Sequence, residues 1–124
     1  MHADAMRRTY FLEIEMVFNG VSFHEATIVR FERVDGSIEL ELDEARIENR
    51  KVRFLFVLTE PLKILVDGAS VFNLPQEGED GEVLSLEVDN SNLRLLAEWH
   101  WFSPLKSRTW EYEILAKEIR GRII

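Results

Sequence analysis

The chain has 124 residues, 46% of them hydrophobic and 31% charged, with 23 Asp and Glu against 15 Lys and Arg for a formal charge of −8. That length suits one domain with a real core, which on folding buries roughly two thirds of the surface exposed by the open chain. The negative balance argues against general binding to nucleic-acid phosphates or anionic lipid and favours a protein partner with a basic surface, while the absence of cysteine excludes disulfides, thiolate zinc sites and cysteine nucleophiles.

No stretch approaches 18 consecutive apolar residues, and the first six residues lack the apolar centre of a signal peptide, so a cytoplasmic protein without a membrane span is expected. Residues 1–7 are expected to form a flexible segment, 8–120 an all-β domain and 121–124 a tail. Turn signals recur at short intervals, at Asn19-Gly20, Asp35-Gly36, Glu60-Pro61, Asp67-Gly68, 78–81, 89–92 and Ser103-Pro104, and between them apolar residues repeat with period two. This pattern predicts a single-domain antiparallel β-sandwich or flattened barrel of about eight or nine strands.

In chain order, Tyr10, Leu12, Ile14, Met16 and Phe18 give the first half-buried strand, with Glu13 and Glu15 on the other face. Residues 27–34 and 37–42 form a hairpin around Asp35-Gly36, read as a type I′ turn. Pairing outward from that turn sets Phe31 against Leu40, Val29 against Leu42 and Arg30 against Glu41. Residues 51–58 are apolar on both faces, as in a central strand. Residues 43–50 suit a short helix, a loop or a bulge. Two short strands, 63–66 and 70–74, flank Asp67-Gly68. An acidic loop at 75–81 leads to a strand at 83–88 that buries Leu84, Leu86 and Val88. Two long strands close the chain, 92–102 with Leu93, Leu95, Ala97, Trp99 and Trp101 on one face, and 108–119 with Trp110, Tyr112, Ile114 and Ala116 on one face. A helical turn is the minority alternative for 115–124, where Gly121 interrupts good helix formers.

The inventory for chemistry is small. The histidines are His2, His24 and His100, and no metalloprotease helix, nucleophile elbow, phosphate-binding loop or dinucleotide fingerprint is present. No catalytic residue, metal site or cofactor is expected. An enzyme would need His24 or His100 in a cleft beside a carboxylate. Three features stand out as binding candidates. His24 and Glu25 form a polar pair at a strand entrance, suited to meeting a partner; the structural alternative has Phe23 plugging the core while His24 bonds to backbone. Trp99-His100-Trp101 places two indoles on one face and His100 on the other with Glu98 and Phe102. Trp99 reads as core, and Trp101, nearer the strand end, as core or surface; His100 reads as partly exposed. Glu77, Glu79, Asp80 and Glu82 cluster ahead of Glu87 and Asp89 with no Lys or Arg among them. That stretch is either a solvated acidic loop or a docking patch that steers a basic partner.

The run Phe23-His24-Glu25-Ala26-Thr27-Ile28, the hairpin at Asp35-Gly36, the apolar strand 52–58 and Ile64-Leu65-Val66-Asp67-Gly68 resemble small bacterial all-β domains with a Phe-His-Asp-Ala motif, some of them immunity proteins of polymorphic toxin systems. Glu25 stands where that motif carries Asp. The resemblance spans residues 23–68 and implies a cytoplasmic binder that neutralises a cognate toxin, with no catalytic residues. Two other classes stay open. One is a ligand carrier whose barrel encloses a cavity lined by Tyr10, Phe54, Phe56 and Trp99. The other is a carbohydrate-binding module with Trp101 and Trp110 exposed and coplanar. An edge-strand dimer is compatible with any of these.

Overall fold

The computed structural model describes residues 21–75 and 78–124. The strand expected at 10–18, the segment 1–7 and Glu77 lie outside them. The described residues form β1 (Val21–Ser22), β2 (Thr27–Val34), β3 (Ser37–Ile47), β4 (Arg50–Val66), β5 (Ala69–Val71), β6 (Asp80–Asp89), β7 (Asn92–Phe102) and β8 (Leu105–Ile123). All pairings are antiparallel, in the order β1-β3-β2-β6-β7-β8-β4-β5, and β3 also pairs with β4. That extra pairing closes β2, β6, β7, β8, β4 and β3 partially into a ring, the all-β antiparallel architecture expected of a β-sandwich or flattened barrel. The seam between β2 and β6 is narrow, with Thr27 opposite Glu82 and Ile28 opposite Gly81.

The interior is built from the alternate residues that the sequence marks as apolar. Ile38, Leu40 and Leu42 of β3, Phe54, Phe56 and Leu58 of β4, Leu93 and Leu95 of β7, and Tyr112 and Ile114 of β8 are completely buried. Phe23 enters from the β1–β2 turn, its ring 5.3 Å from that of Phe54, and Phe54 and Phe56 lie 4.7 Å apart. Two close approaches fix this packing. A Cβ on Gly81 would lie 2.6 Å from the Trp99 indole, and one on Gly121 would lie 2.7 Å from the Phe54 ring. Both positions give their space to an aromatic side chain from a neighbouring strand.

The turns follow from residues that accept positive φ. Asp67 and Gly68 take 52° and 82°, and Glu48 and Asn49 take 49° and 68°, the paired left-handed geometry of a type I′ hairpin. At Asp35-Gly36 only Asp35 is left-handed, with φ 54°, so this turn is not the type I′ expected from its sequence. The peptide between Ser103 and Pro104 at the β7–β8 turn is cis.

Several boundaries differ from the sequence reading, most of them because a β-bulge adds a residue and exchanges the faces beyond it. Between Ile28 and Arg30 the β2–β3 register shifts, so Ile28, not Val29, faces Leu42, while Arg30 opposite Glu41 and Phe31 opposite Leu40 are as expected. Between Leu42 and Ala45 a second shift, with Glu44 at φ 62°, is the bulge among the alternatives expected for residues 43–50; it carries β3 on as strand to Ile47 and returns Ala45 to the core. Glu60-Pro61 interrupts nothing. Glu60 takes φ 46°, the register shifts between Pro61 and Lys63, and β4 runs on; proline's missing amide is tolerated at such an irregularity. A fourth shift lies between Val83 and Ser85, so Val83 is buried where Leu84 was expected. At the end of the chain β8 pairs with β4 out to Ile123, so residues 121–123 complete a strand and form neither a tail nor a helical turn.

Candidate functional site

The Phe23-His24-Glu25-Ala26 segment is a tight turn inserted between β1 and β2, which lie end to end along the same edge of β3. Ala26 N donates to Phe23 O at 3.0 Å, and Glu25 holds φ 68°. Glu25 N donates to Val83 O and Val83 N to Ala26 O, each at 2.8 Å. His24 Nδ1 donates to Leu84 O at 3.0 Å. This is the structural alternative read from the sequence: Phe23 is buried, and the exposed His24 bonds to backbone. The turn thereby staples β6 at its bulge, and an open groove of about 580 Å³ lies between residues 21–24 and residues 84–89.

The acidic stretch is less of a loop than expected, because Asp80 and Glu82 belong to β6. Glu79 lies just before it and holds the end of the next hairpin: its N donates to His100 O at 2.8 Å and its Oε2 accepts from Phe102 N at 2.7 Å. In the β6–β7 ladder Asp80 faces His100, Glu82 faces Glu98 and Glu87 faces Arg94. Residues opposite one another share a face, so Asp80, Glu82, Glu98 and His100 form a compact block on the outside of the barrel. His100 Nε2 lies 3.6 Å from Glu98 Oε1. Asp89 is exposed at the far end of β6, its Oδ1 accepting from Asn90 Nδ2 at 3.3 Å.

Trp99 is core, as its place in the alternating run implies: its Nε1 donates to Tyr112 Oη at 2.9 Å. Trp101 and Trp110 are half-buried against the core, each with a cation over its ring, Lys106 Nζ at 4.7 Å and the Arg108 guanidinium at 4.5 Å. Trp110 also stacks on Tyr112 at 6.5 Å and 17°. Neither indole is the open platform that a carbohydrate module requires.

Ion pairs gather on the opposite part of the ring. Arg30 contacts Glu32, Glu39 and Glu41; Arg53 contacts Glu41 and Asp43; Lys51 contacts Glu44. The hydrogen bond from Arg53 holds the Asp43 carboxyl below the usual carboxylate range, and that from Lys51, with a further one from Thr27, does the same for Glu44.

The structure thus brings His24, Glu25, Asp80, Glu82 and His100 onto or beside one strand, β6, and leaves Trp101 on the inward face. The residue that sequence reasoning left out of the candidate set is Glu98. Its spacing two residues before His100 is visible, but its pairing with Glu82 depends on the β6 bulge. Compared with known protein families, with curated proteins and with solved structures, the chain matches none.

Proposed function

We propose that this domain is a non-catalytic binding protein that docks a basic protein partner on the outer face of β6 and β7, with immunity to a cognate toxin as its most concrete form. The observation that carries this reading is the carboxylate block itself. Asp80, Glu82 and Glu98 face outward together, and among the described residues no Lys or Arg forms an ion pair with any of them. Phe102 and Leu105, 59% and 82% exposed, adjoin the block at the β7–β8 turn and offer apolar anchors beside an acidic field. An interface of that kind uses desolvated apolar contacts for affinity and surrounding charge for steering.

The carrier reading is weaker. Phe54, Phe56 and Trp99, assigned there to a cavity wall, pack against Phe23, Gly81 and one another. Tyr10 lies outside the described residues.

The test is co-expression with the product of the adjacent reading frame. The expected result is a co-purifying complex that spares the host from that product's toxicity and weakens as salt rises. Glu82→Lys with Glu98→Lys should abolish both effects while leaving the melting temperature of the free domain near that of the wild type. If the adjacent product is neither bound nor detoxified, the immunity reading is wrong. If it is bound equally well by the charge-reversed variant, the assignment of the face is wrong.

A further inference from the structure

We propose that Glu82, Glu98 and His100 form a binding site for one divalent transition-metal ion of the zinc class on the outer face of the β6–β7 hairpin. The site shares Glu82 and Glu98 with the docking reading but does not rest on it, since zinc binding is read on the isolated chain with no partner protein. One carboxylate oxygen from each glutamate and a ring nitrogen of His100 all lie within 4.8 Å of one another. Two ligands bound tetrahedrally to zinc at its usual bond lengths stand about 3.4 Å apart. His100 Nε2 and Glu98 Oε1, at 3.6 Å, already have that separation. Glu82, held opposite Glu98 by the ladder, has only side-chain torsions to adjust. All three residues are half-buried, so an ion can reach them and is partly shielded once there.

The charge pattern is a second, independent observation. Like charges directly opposite one another destabilise a ladder. The other carboxylate pair that the described ladders set face to face has an arginine against it: Glu32 faces Glu39, and Arg30 contacts both. Glu41 and Asp43, two residues apart along β3, share Arg53. Between Glu82 and Glu98 no Lys or Arg intervenes among the described residues, and the group set beside them is an imidazole. A bound cation there does what arginine does for the other pair. An imidazole nitrogen with two carboxylate oxygens selects first-row transition ions over Ca²⁺ and Mg²⁺, which prefer all-oxygen sites. With three protein ligands, water completes the coordination.

The experiment is calorimetric titration of the full chain with ZnCl₂, and with MgCl₂ for comparison. The expected result is one zinc ion per chain, with far weaker binding of magnesium. His100→Ala and Glu98→Gln should each weaken zinc binding at least about tenfold, and Glu60→Gln, on β4, should leave it unchanged. In the wild-type chain, where folding of a variant is not at issue, Zn²⁺ should shift the imidazole NMR signals of His100 and spare those of His24. No zinc binding, undiminished binding by His100→Ala, or a response at His24 in place of His100 would each overturn the site.

Discussion

The hydrogen bond from Trp99 Nε1 to Tyr112 Oη crosses from β7 to β8 inside an apolar interior. Tyr112 is completely buried, and the Phe31 ring meets it edge-on at 5.1 Å. A buried N–H whose acceptor is removed keeps its full desolvation cost. Tyr112→Phe should therefore destabilise the domain by about 1–3 kcal/mol, read as a lower urea midpoint at unchanged slope. An unchanged midpoint would mean that the indole finds another acceptor. Trp110 shows the opposite situation: its Nε1 is buried without a hydrogen-bond partner among the described residues, and the Arg108 guanidinium covers the ring. The two indoles differ although both belong to alternating runs, because the runs specify facing and leave hydrogen-bond partners to the register of the neighbouring strand. The same limit applies to His24. Its position at a strand entrance was legible; its acceptor, the carbonyl of Leu84 60 residues away, was not.

At the scale of elements, period two is reliable within each run and fails wherever a bulge intervenes. Four register shifts, at Ile28/Arg30, Leu42/Ala45, Pro61/Lys63 and Val83/Ser85, account for most of the differences between the expected and observed strands. Two of them carry a left-handed residue, and left-handed φ usually advertises itself as glycine, whereas Glu44 and Glu60 hold it here; the other two carry no residue with positive φ. The all-β class, the hairpins at Asp35-Gly36 and Asp67-Gly68 and the faces of β7 and β8 were legible, because each rests on side-chain alternation or a turn dipeptide. The Glu82–Glu98–His100 block was not, because the bulge at Leu84 decides it. Beyond the bulge Ser85 pairs with Leu96, and that register carried unbroken through the strand would bring Glu82 opposite Trp99, on the core side. Deleting Leu84 should remove the one extra residue and join the two registers into a single ladder, with Glu82 still opposite Glu98 and Ser85 still opposite Leu96. The expected result is cooperative thermal unfolding at a melting temperature near that of the point variant Leu84→Ala. Loss of cooperative unfolding in the deletion variant alone would show that the fold needs the bulge itself and not only the two registers it joins.

Over the whole molecule the charge of −8 is unevenly compensated. The β2–β4 part of the ring interleaves Arg30, Lys51 and Arg53 with its carboxylates, while the β6–β7 face leaves Glu82 and Glu98 without such partners among the described residues. The compensated part has a definite pH signature. Asp43 is held below the ordinary carboxylate range chiefly by the hydrogen bond from Arg53, and then by the Glu44 backbone N–H. A carboxyl that is more acidic in the folded chain than in the unfolded one stabilises the fold above its unfolded pKa, and that contribution disappears as pH falls through the folded value. Arg53→Gln removes the main cause of the depression, so wild type and variant should differ most in melting temperature near neutral pH. The difference should begin to shrink below about pH 4 and vanish at lower pH, where Asp43 is protonated in both states. Comparing the two proteins cancels the repulsion carried by the rest of the surface, which both share. These groups are exposed, so the gap should be small and should also narrow in 1 M salt, where screening reaches about 3 Å. A gap that persists unchanged at acid pH and in high salt would mean that Arg53 acts through the packing of its stem along β4 and not through its charge.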